Sequence, residues 1–398
     1  MVTGVCEMLP YTGEYIKHSN DKLKYTYYTF TPRPLMSGNL YEMDDELATL
    51  ISSAHYKIGV LEGLIKYAPN GSAFCELMLL KECTYSRWID YDNPSYYDVL
   101  IGKGTNQSNT IPVKNLVSAY KYAQDKSIVA QNLSEICGIA LYGAEAENAI
   151  TLRKNQTFLT NISTNQKIYN PSAPENVLPA LADISAFLYN HKEMDILVKA
   201  ALTHYQFEMI HPFEQYNGIV GRIISSVLLR GMINEASLSL CLSEFLYHNK
   251  NNYFDLLRST QYSGGYIRWI KFFVHAVYAA AHVSAQLLTQ YEEIIEKDEK
   301  RFEVSRSSSN SMWMVYNYLK CNPITSVNNA AKSLGISFNT VSKAIKYLLK
   351  IDLVKQYNAQ DRNRLFGYDR LIYILSEYHD HSYELSNVLL ENSEGLKR

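Results

Sequence analysis

The sequence predicts a mainly α-helical protein with one small β-hairpin and a C-terminal winged helix-turn-helix module. Three observations carry that reading. Apolar residues recur at three- and four-residue spacing from Leu47 onward, the period of a helix with one buried face. One stretch, Leu152 to Tyr169, breaks the period with β-branched and aromatic residues around a polar turn. Near the C-terminus, AAKSLGISFNTVSKAIKYL has the shape of two helices joined at a glycine.

Composition sets the bounds. The 398 residues suffice for two or three domains with a sizeable core. Hydrophobic residues make up 47% and charged residues 20%, which excludes a disordered chain. A net charge of −2 gives no global pull toward nucleic acid or acidic membranes, so any such contact must be a local patch. The six cysteines are scattered with no C-x-x-C pair and are expected to be reduced thiols. The start MVTGVCEMLP lacks a basic and an apolar signal region, and Phe272 to Val283 is too short and polar to span a bilayer. A cytoplasmic protein with no membrane partner is the expectation.

The elements follow in order. Residues 1–40 read as an arm with one strand, Tyr25 to Phe30. Leu47, Leu50, Ile51, Ala54, Ile58, Leu61 and Leu64 form one helical face, started by Asp44 and Asp45 and ended by Pro69-Asn70-Gly71. A second helix runs from Ser72 to Tyr91 and stops before Pro94; on it Ser86 and Asp90 share a face at i and i+4. A turn-rich loop at 103–112 precedes helices Val113–Asp125 and Ser127–Leu141. The hairpin follows, closed by Pro171 and Pro174, then helices Val177–Tyr189 and Met194–Met209. A lone hairpin among helices is either a packed excursion or an edge that takes a partner's strand.

The chain is organised around His204 to Met232. A helical run leads into His211, a loop carries Pro212, Phe213 and Asn217-Gly218, and a new helix starts near Ile219 with Arg222 in its first turn. This sets a proton acceptor beside free N–H groups and a positive dipole end, which favour phosphate. His204, on the preceding helix, reads as a packed, hydrogen-bonded histidine.

This stretch resembles the Fic family, whose members carry H-P-F-x-(D/E)-G-N-G-(R/K)-x-x-R after an H-Y-x-F-x-x-I run. His204, Tyr205, Phe207, Ile210, His211, Pro212, Phe213, Asn217, Gly218, Gly221 and Arg222 match without insertion. Downstream, Asn249, Tyr253 and Phe254 resemble the family's N-r-x-x-Y-Y segment, and similarity extends from about Leu47 to Ala281. The resemblance implies a Fic-type helical bundle that transfers AMP from ATP to a protein Tyr, Thr or Ser hydroxyl. His211 would be the general base. Phe213, Asn217, Gly218, Gly221, Arg222 and Tyr253 would serve the nucleotide: loop N–H groups at Asn217 and Gly218 on the α/β-phosphates, Arg222 on the terminal one. The hairpin, with Arg153 and Gln156 in the family's R-x-x-Q pattern, would be a flap clamping the target segment. Ser86-x-x-x-Asp90-Tyr91 resembles the inhibitory Ser/Thr-x-x-x-Glu-Gly pattern, with Asp90 competing for Arg222.

Three motif positions depart. The family's Mg²⁺-binding acid is Gln215, its first glycine is Tyr216, and its first arginine is Ile219. A hard cation prefers charge that Gln215 lacks, and each lost charged contact costs about 1.5–3 kcal/mol. His211 is therefore read either as a working base with altered metal or nucleotide use, or as a relic in a fold kept for binding or regulation.

Beyond the helix Gly265–Tyr291, residues 286–308 turn charged and read as a solvated helix running into a linker. Helices Ser311–Lys320, Val327–Leu334 and Asn339–Leu349 follow, with Leu353–Lys355 and Phe366–Tyr368 paired as a wing. The expected division is 1–112 (arm and inhibitory helix region), 113–285 (Fic domain), 286–308 (linker helix), 309–378 (winged helix-turn-helix) and 379–398 (tail). Asn339 and Lys343 would meet a DNA groove and Arg362 and Arg364 its phosphates, unless the module serves dimer or intrachain packing. A homodimer stays open.

Overall fold

A computed structural model describes residues 12–20, 25–91, 94–102, 108–144, 150–160, 167–233, 238–263, 265–304, 310–358 and 364–376. The arm holds two strands where one was expected: β1 (Gly13–Asn20) and β2 (Tyr25–Pro32) pair antiparallel with Tyr15 opposite Phe30. Five helices follow: α1 (Asp45–Tyr67), α2 (Gly71–Asp90), α3 (Tyr96–Gly102), α4 (Ile111–Ala123) and α5 (Ala130–Tyr142). The central hairpin is β3 (Leu159–Thr160) with β4 (Lys167–Tyr169), succeeded by α6 (Pro174–Asn190), α7 (Ile196–Ile210), α8 (Asn217–Ile233), α9 (Leu242–His248), α10 (Lys250–Ser263) and α11 (Ile267–Val304).

Each helix follows from its residues. Asp44 caps α1 by accepting from the Leu47 N–H at 2.8 Å, and the α1 stripe Leu47, Ile51, Ala54, Ile58 and Leu61 is buried, against α11. Helices α2 and α7 are buried almost all round, which a helix does only at the centre of a bundle. Every residue of α7 from Leu197 to Ile210 is buried. On α2 the buried charges are paired: Lys81 Nζ lies 2.9 Å from Glu244, and Glu82 accepts from Tyr120 Oη and from the Ser243 N–H and hydroxyl. These contacts tie the middle of α2 to α4 and α9.

Three expectations change. The hairpin is shorter than Leu152–Tyr169: residues 152–158 form no strand, and Arg153 is instead bonded to the end of α7, its N–H donating to the Pro212 carbonyl and its Nε to that of His211. Its turn, residues 161–166, lies outside the described residues. The second motif helix starts at Asn217 instead of Ile219. The charged stretch after residue 285 is helical to Val304, as expected, but it continues α11 without a break and is solvated on one face only, with Ile295, Asp298 and Phe302 buried on the other. By length and hydropathy α11 could cross a membrane, yet 72% of its apolar window is buried inside the fold.

The C-terminal elements are α12 (Asn310–Cys321), β5 (Ile324–Ser326), α13 (Val327–Leu334), α14 (Phe338–Lys350), β6 (Lys355–Gln356), β7 (Leu365–Gly367) and α15 (Asp369–Ser376), with an antiparallel sheet in the order β5-β7-β6. Ser326 and Ser337 cap α13 and α14, and Gly335 takes the left-handed turn between them at φ 64°. Buried Asp298 of α11 accepts from Tyr368 Oη at 2.7 Å and from Arg370, joining this sheet to α11. Arg362 and the 379–398 tail lie outside the described residues.

Candidate functional site

The site forms where α7 ends and α8 begins. His211 terminates α7 in a left-handed conformation, φ 52°, with its N–H still bonded to the Phe207 carbonyl at 2.9 Å. The residue as a whole is partly exposed, while its Nδ1 is buried. Burial, then the Arg153 guanidinium, push its pKa down to about 3, opposed by the Glu208 carbonyl. The imidazole is therefore neutral at pH 7, the form a proton acceptor needs. His204 is fully buried, bonded to Ser225 Oγ at 2.9 Å and Tyr253 Oη at 2.9 Å, as expected of a packed histidine.

The loop closes on itself. The Phe213 N–H donates to Asn217 Oδ1 and Asn217 Nδ2 donates to the Phe213 carbonyl, both at 2.8 Å. Asn217 is 2% exposed, so its amide shapes the loop rather than reaching outward, and Phe213 is the buried anchor. Gly221 lets α7 and α8 approach: a Cβ there would meet Glu208 Oε1 at 2.7 Å. Tyr253 is also buried, its hydroxyl bonded to His204.

Arg222 is the electrostatic centre. Its guanidinium donates to Ser86 Oγ and the Ser86 carbonyl at 2.8 Å each, and to Asp90 Oδ2 at 2.5 Å. Burial opposes its charge, and Asp90 beside it more than restores it, so its pKa is raised. The Asp90 carboxylate also sits over the α8 N-terminus: a side chain on Gly218 would meet it at 2.9 Å. It thus occupies the position where the dipole and N–H groups favour an anion. Behind this pair lies Glu208, which no sequence pattern marked out. Burial raises its pKa to about 8, with Arg222 pulling down and Asp90 pushing up.

Arg153 is the second residue whose role the sequence did not reveal. Its Nε donates to the His211 carbonyl at 2.6 Å and its other nitrogens reach the carbonyls of Ile210, Asn155 and Ser172. A buried cation here satisfies the last carbonyls of α7. Gln156 turns to the Pro171 carbonyl at 3.2 Å, so neither residue of the flap pattern lies on a strand.

The departures are visible as geometry. Ile219 is fully buried, Gln215 is exposed, and Tyr216 holds φ 67°, a conformation that costs a non-glycine residue about 1–2 kcal/mol. An exposed neutral amide beside an exposed Glu214 does not fit Mg²⁺, and no cluster of three or more His, Cys, Asp or Glu among the described residues could hold a metal. Asn339, Lys343 and Arg364 are all exposed, far from this loop in sequence. Asn339 and Lys343 line a concave surface of about 750 Å³ between α12 and α14.

A neutral histidine, a helix start and an arginine locked by a carboxylate thus meet at one loop. Comparisons with known proteins narrow the class. The Fic/DOC family model matches residues 131–229, which include His211, the loop and the start of α8. A probable protein adenylyltransferase of Aquifex aeolicus is 32% identical over 95 residues, 23% of this chain and 27% of that protein. A protein adenylyltransferase of Caenorhabditis briggsae is 35% identical over 63 residues, 15% of this chain and 12% of that one. The matches thus span 27% or less of those relatives. A solved Fic family protein of Desulfovibrio desulfuricans shares the fold, with a TM-score of 0.55 at 15% identity, over 83% of this chain and 98% of that one. Family model and fold agree on a Fic/DOC family domain at residues 131–229.

Proposed function

We propose that this chain is a Fic-type protein adenylyltransferase held inactive by the end of α2. The observation that carries the reading is the Ser86–Arg222–Asp90 contact set beside a neutral His211. In the working state His211 takes the proton of a target Tyr, Thr or Ser hydroxyl. The oxygen bonds to the α-phosphorus of ATP, the bond to the β-phosphate oxygen breaks, and pyrophosphate leaves. N–H groups at Asn217 and Gly218 stabilise the phosphate charge, and Arg222, once released, holds the terminal phosphate. β3 and β4 would present the target segment as an added strand. No step is assigned to Mg²⁺, because the residues present do not fit it.

The test is incubation of wild type, Asp90→Gly and Asp90→Gly/His211→Ala with α-labelled ATP. Label on protein that rises about tenfold or more in Asp90→Gly and disappears in the double variant is expected. No label in any variant, with Mg²⁺, Mn²⁺ or neither, overturns the reading.

A second reading is a Fic-fold regulator that binds DNA through the α12–α15 module as a winged helix. What supports it is the exposed polar and basic face of α14, with Asn339, Lys343 and Lys346, and the exposed Arg364 next to β7 in sequence. Salt-dependent duplex binding that weakens about tenfold in Lys343→Ala/Arg364→Ala is its expected result; salt-independent binding, or none, sinks it.

A further inference from the structure

Position 216 is occupied by a tyrosine in a backbone conformation that favours glycine, φ 67°. Strain of this kind persists where surrounding contacts over-determine it. Here the side-chain contacts are specific, and they lead to the end of α2. The Arg87 guanidinium donates to Tyr216 Oη. The same guanidinium lies 4.9 Å from the centre of the Tyr91 ring and 5.6 Å from that of Tyr216. The two rings are 5.4 Å apart, tilted by 46°. Arg87 is 7% exposed, so the cation is taken out of water and set against two aromatic faces, where such attraction is strongest.

These three residues interleave with the contacts already described. Ser86 and Asp90 grip Arg222, one turn inside α8; Arg87 and Tyr91 grip Tyr216, immediately before α8. The two sets leave the last turn of α2 on adjacent faces and reach two points about one helical turn apart, Tyr216 before α8 and Arg222 within it. The rest of α2 cannot swing away with them, because Lys81–Glu244 and Glu82–Ser243 are buried behind it. Opening must therefore be local to residues 86–91.

We propose that Arg87, Tyr91 and Tyr216 form a second latch on the nucleotide loop, independent of the Ser86–Asp90–Arg222 contact. Tyr216 then does two things that a glycine does not. It narrows the backbone approach to phosphate, and it adds a side chain by which α2 holds the loop shut. Removing Asp90 alone leaves the loop held at Tyr216. The consequence for nucleotide rests on the adenylyltransferase reading; the latch itself does not.

Hydrogen–deuterium exchange of the full chain separates the two. Peptides covering residues 86–91 and 213–219 are followed in wild type and in Asp90→Gly, Tyr216→Phe and Arg87→Met. Two double variants, Arg87→Met/Tyr216→Phe and Asp90→Gly/Tyr216→Phe, complete the set. Tyr216→Phe keeps the ring and removes only the hydroxyl, so the fold is retained; unchanged exchange in α7 and α11 verifies this. Faster exchange by about tenfold in Tyr216→Phe and in Arg87→Met is expected, the equivalent of about 1.4 kcal/mol. The Arg87→Met/Tyr216→Phe pair should be no faster than Arg87→Met alone, and the Asp90→Gly/Tyr216→Phe pair should approach the product of its single effects. Unchanged exchange at 213–219 in both Tyr216→Phe and Arg87→Met overturns the latch. Titration of the same variants with ATP reports on the other question. Tighter binding in the Asp90→Gly/Tyr216→Phe double variant than in Asp90→Gly supports the latch as a gate on nucleotide. Faster exchange with no ATP binding in any variant supports the latch and rejects the adenylyltransferase reading.

Discussion

Combining Gln215→Glu, Tyr216→Gly and Ile219→Arg with Asp90→Gly is expected to raise AMP transfer by about a hundredfold or more over wild type. Four separate obstacles are removed together. Gln215→Glu supplies the charged oxygen that a divalent cation wants and that the exposed Gln215 amide does not. Tyr216→Gly relieves the strain of a left-handed backbone at φ 67° and opens the approach to phosphate. Ile219→Arg returns a cation, worth about 1.5–3 kcal/mol if it reaches a phosphate. Asp90→Gly frees Arg222 and the α8 N-terminus. Ile219 is fully buried, so its replacement carries the main folding risk; Gln215→Glu/Tyr216→Gly/Asp90→Gly without it is the companion variant. Adding His211→Ala should then remove transfer by about 10²–10⁴-fold, the usual worth of a general base, while leaving ATP affinity within a few-fold. Transfer that survives loss of His211 would show that the base lies elsewhere.

Arg153→Met is expected to cost about 3 kcal/mol or more of stability, read as a lower denaturant midpoint at unchanged slope. Methionine keeps much of the stem's volume and loses every donor. The carbonyls of Ile210, His211 and Ser172 would then be left without this partner inside the fold. The same variant should move the His211 titration upward, because the Arg153 charge is one of the two causes that lower it. The sign for stability follows from linkage. With a pKa near 3 in the folded state and 6.5 unfolded, neutral His211 contributes stability that is whole above pH 6.5 and is lost as pH falls from there toward 3. Raising the folded pKa narrows that window, so Arg153→Met should lose less stability than wild type as pH falls from 6.5 toward 3. An unchanged midpoint, or an unchanged His211 titration by NMR, would contradict the assigned role.

Single residues show how much of this was legible in the sequence. The face shared by Ser86 and Asp90 was readable because helical geometry alone puts i and i+4 together, and the structure turns both onto Arg222. The loop from His211 to Arg222 was readable because its spacing carries no insertion, and the short-range bonds of Asn217 to Phe213 close it locally. The α1 stripe, the hairpin and the two C-terminal helices were likewise visible as changes of period. Element ends were less visible. α11 continues past Tyr291 into a charged run because the C-terminal elements cover its inner face, a contact no local pattern encodes. The strand Gly13–Asn20 was missed because its partners lie elsewhere in the chain: β2 pairs along it, and the Tyr15 hydroxyl donates to Gln261 Oε1 at 2.9 Å.

The sequence by itself determined the helical periods, the candidate base, the loop spacing and the helix face that carries Ser86 and Asp90. All of these are set within one helix or one short loop, where covalent geometry fixes which side chains are neighbours. Only the tertiary structure decided what the surrounding charges do. Arg153 reaches the His211 carbonyl across 58 positions, Arg87 reaches Tyr216 across 129, and Asp90 reaches Arg222 across 132. Burial then sets the protonation of His211 and Glu208, because desolvation acts on where a group ends up and leaves no mark on its neighbours in the chain.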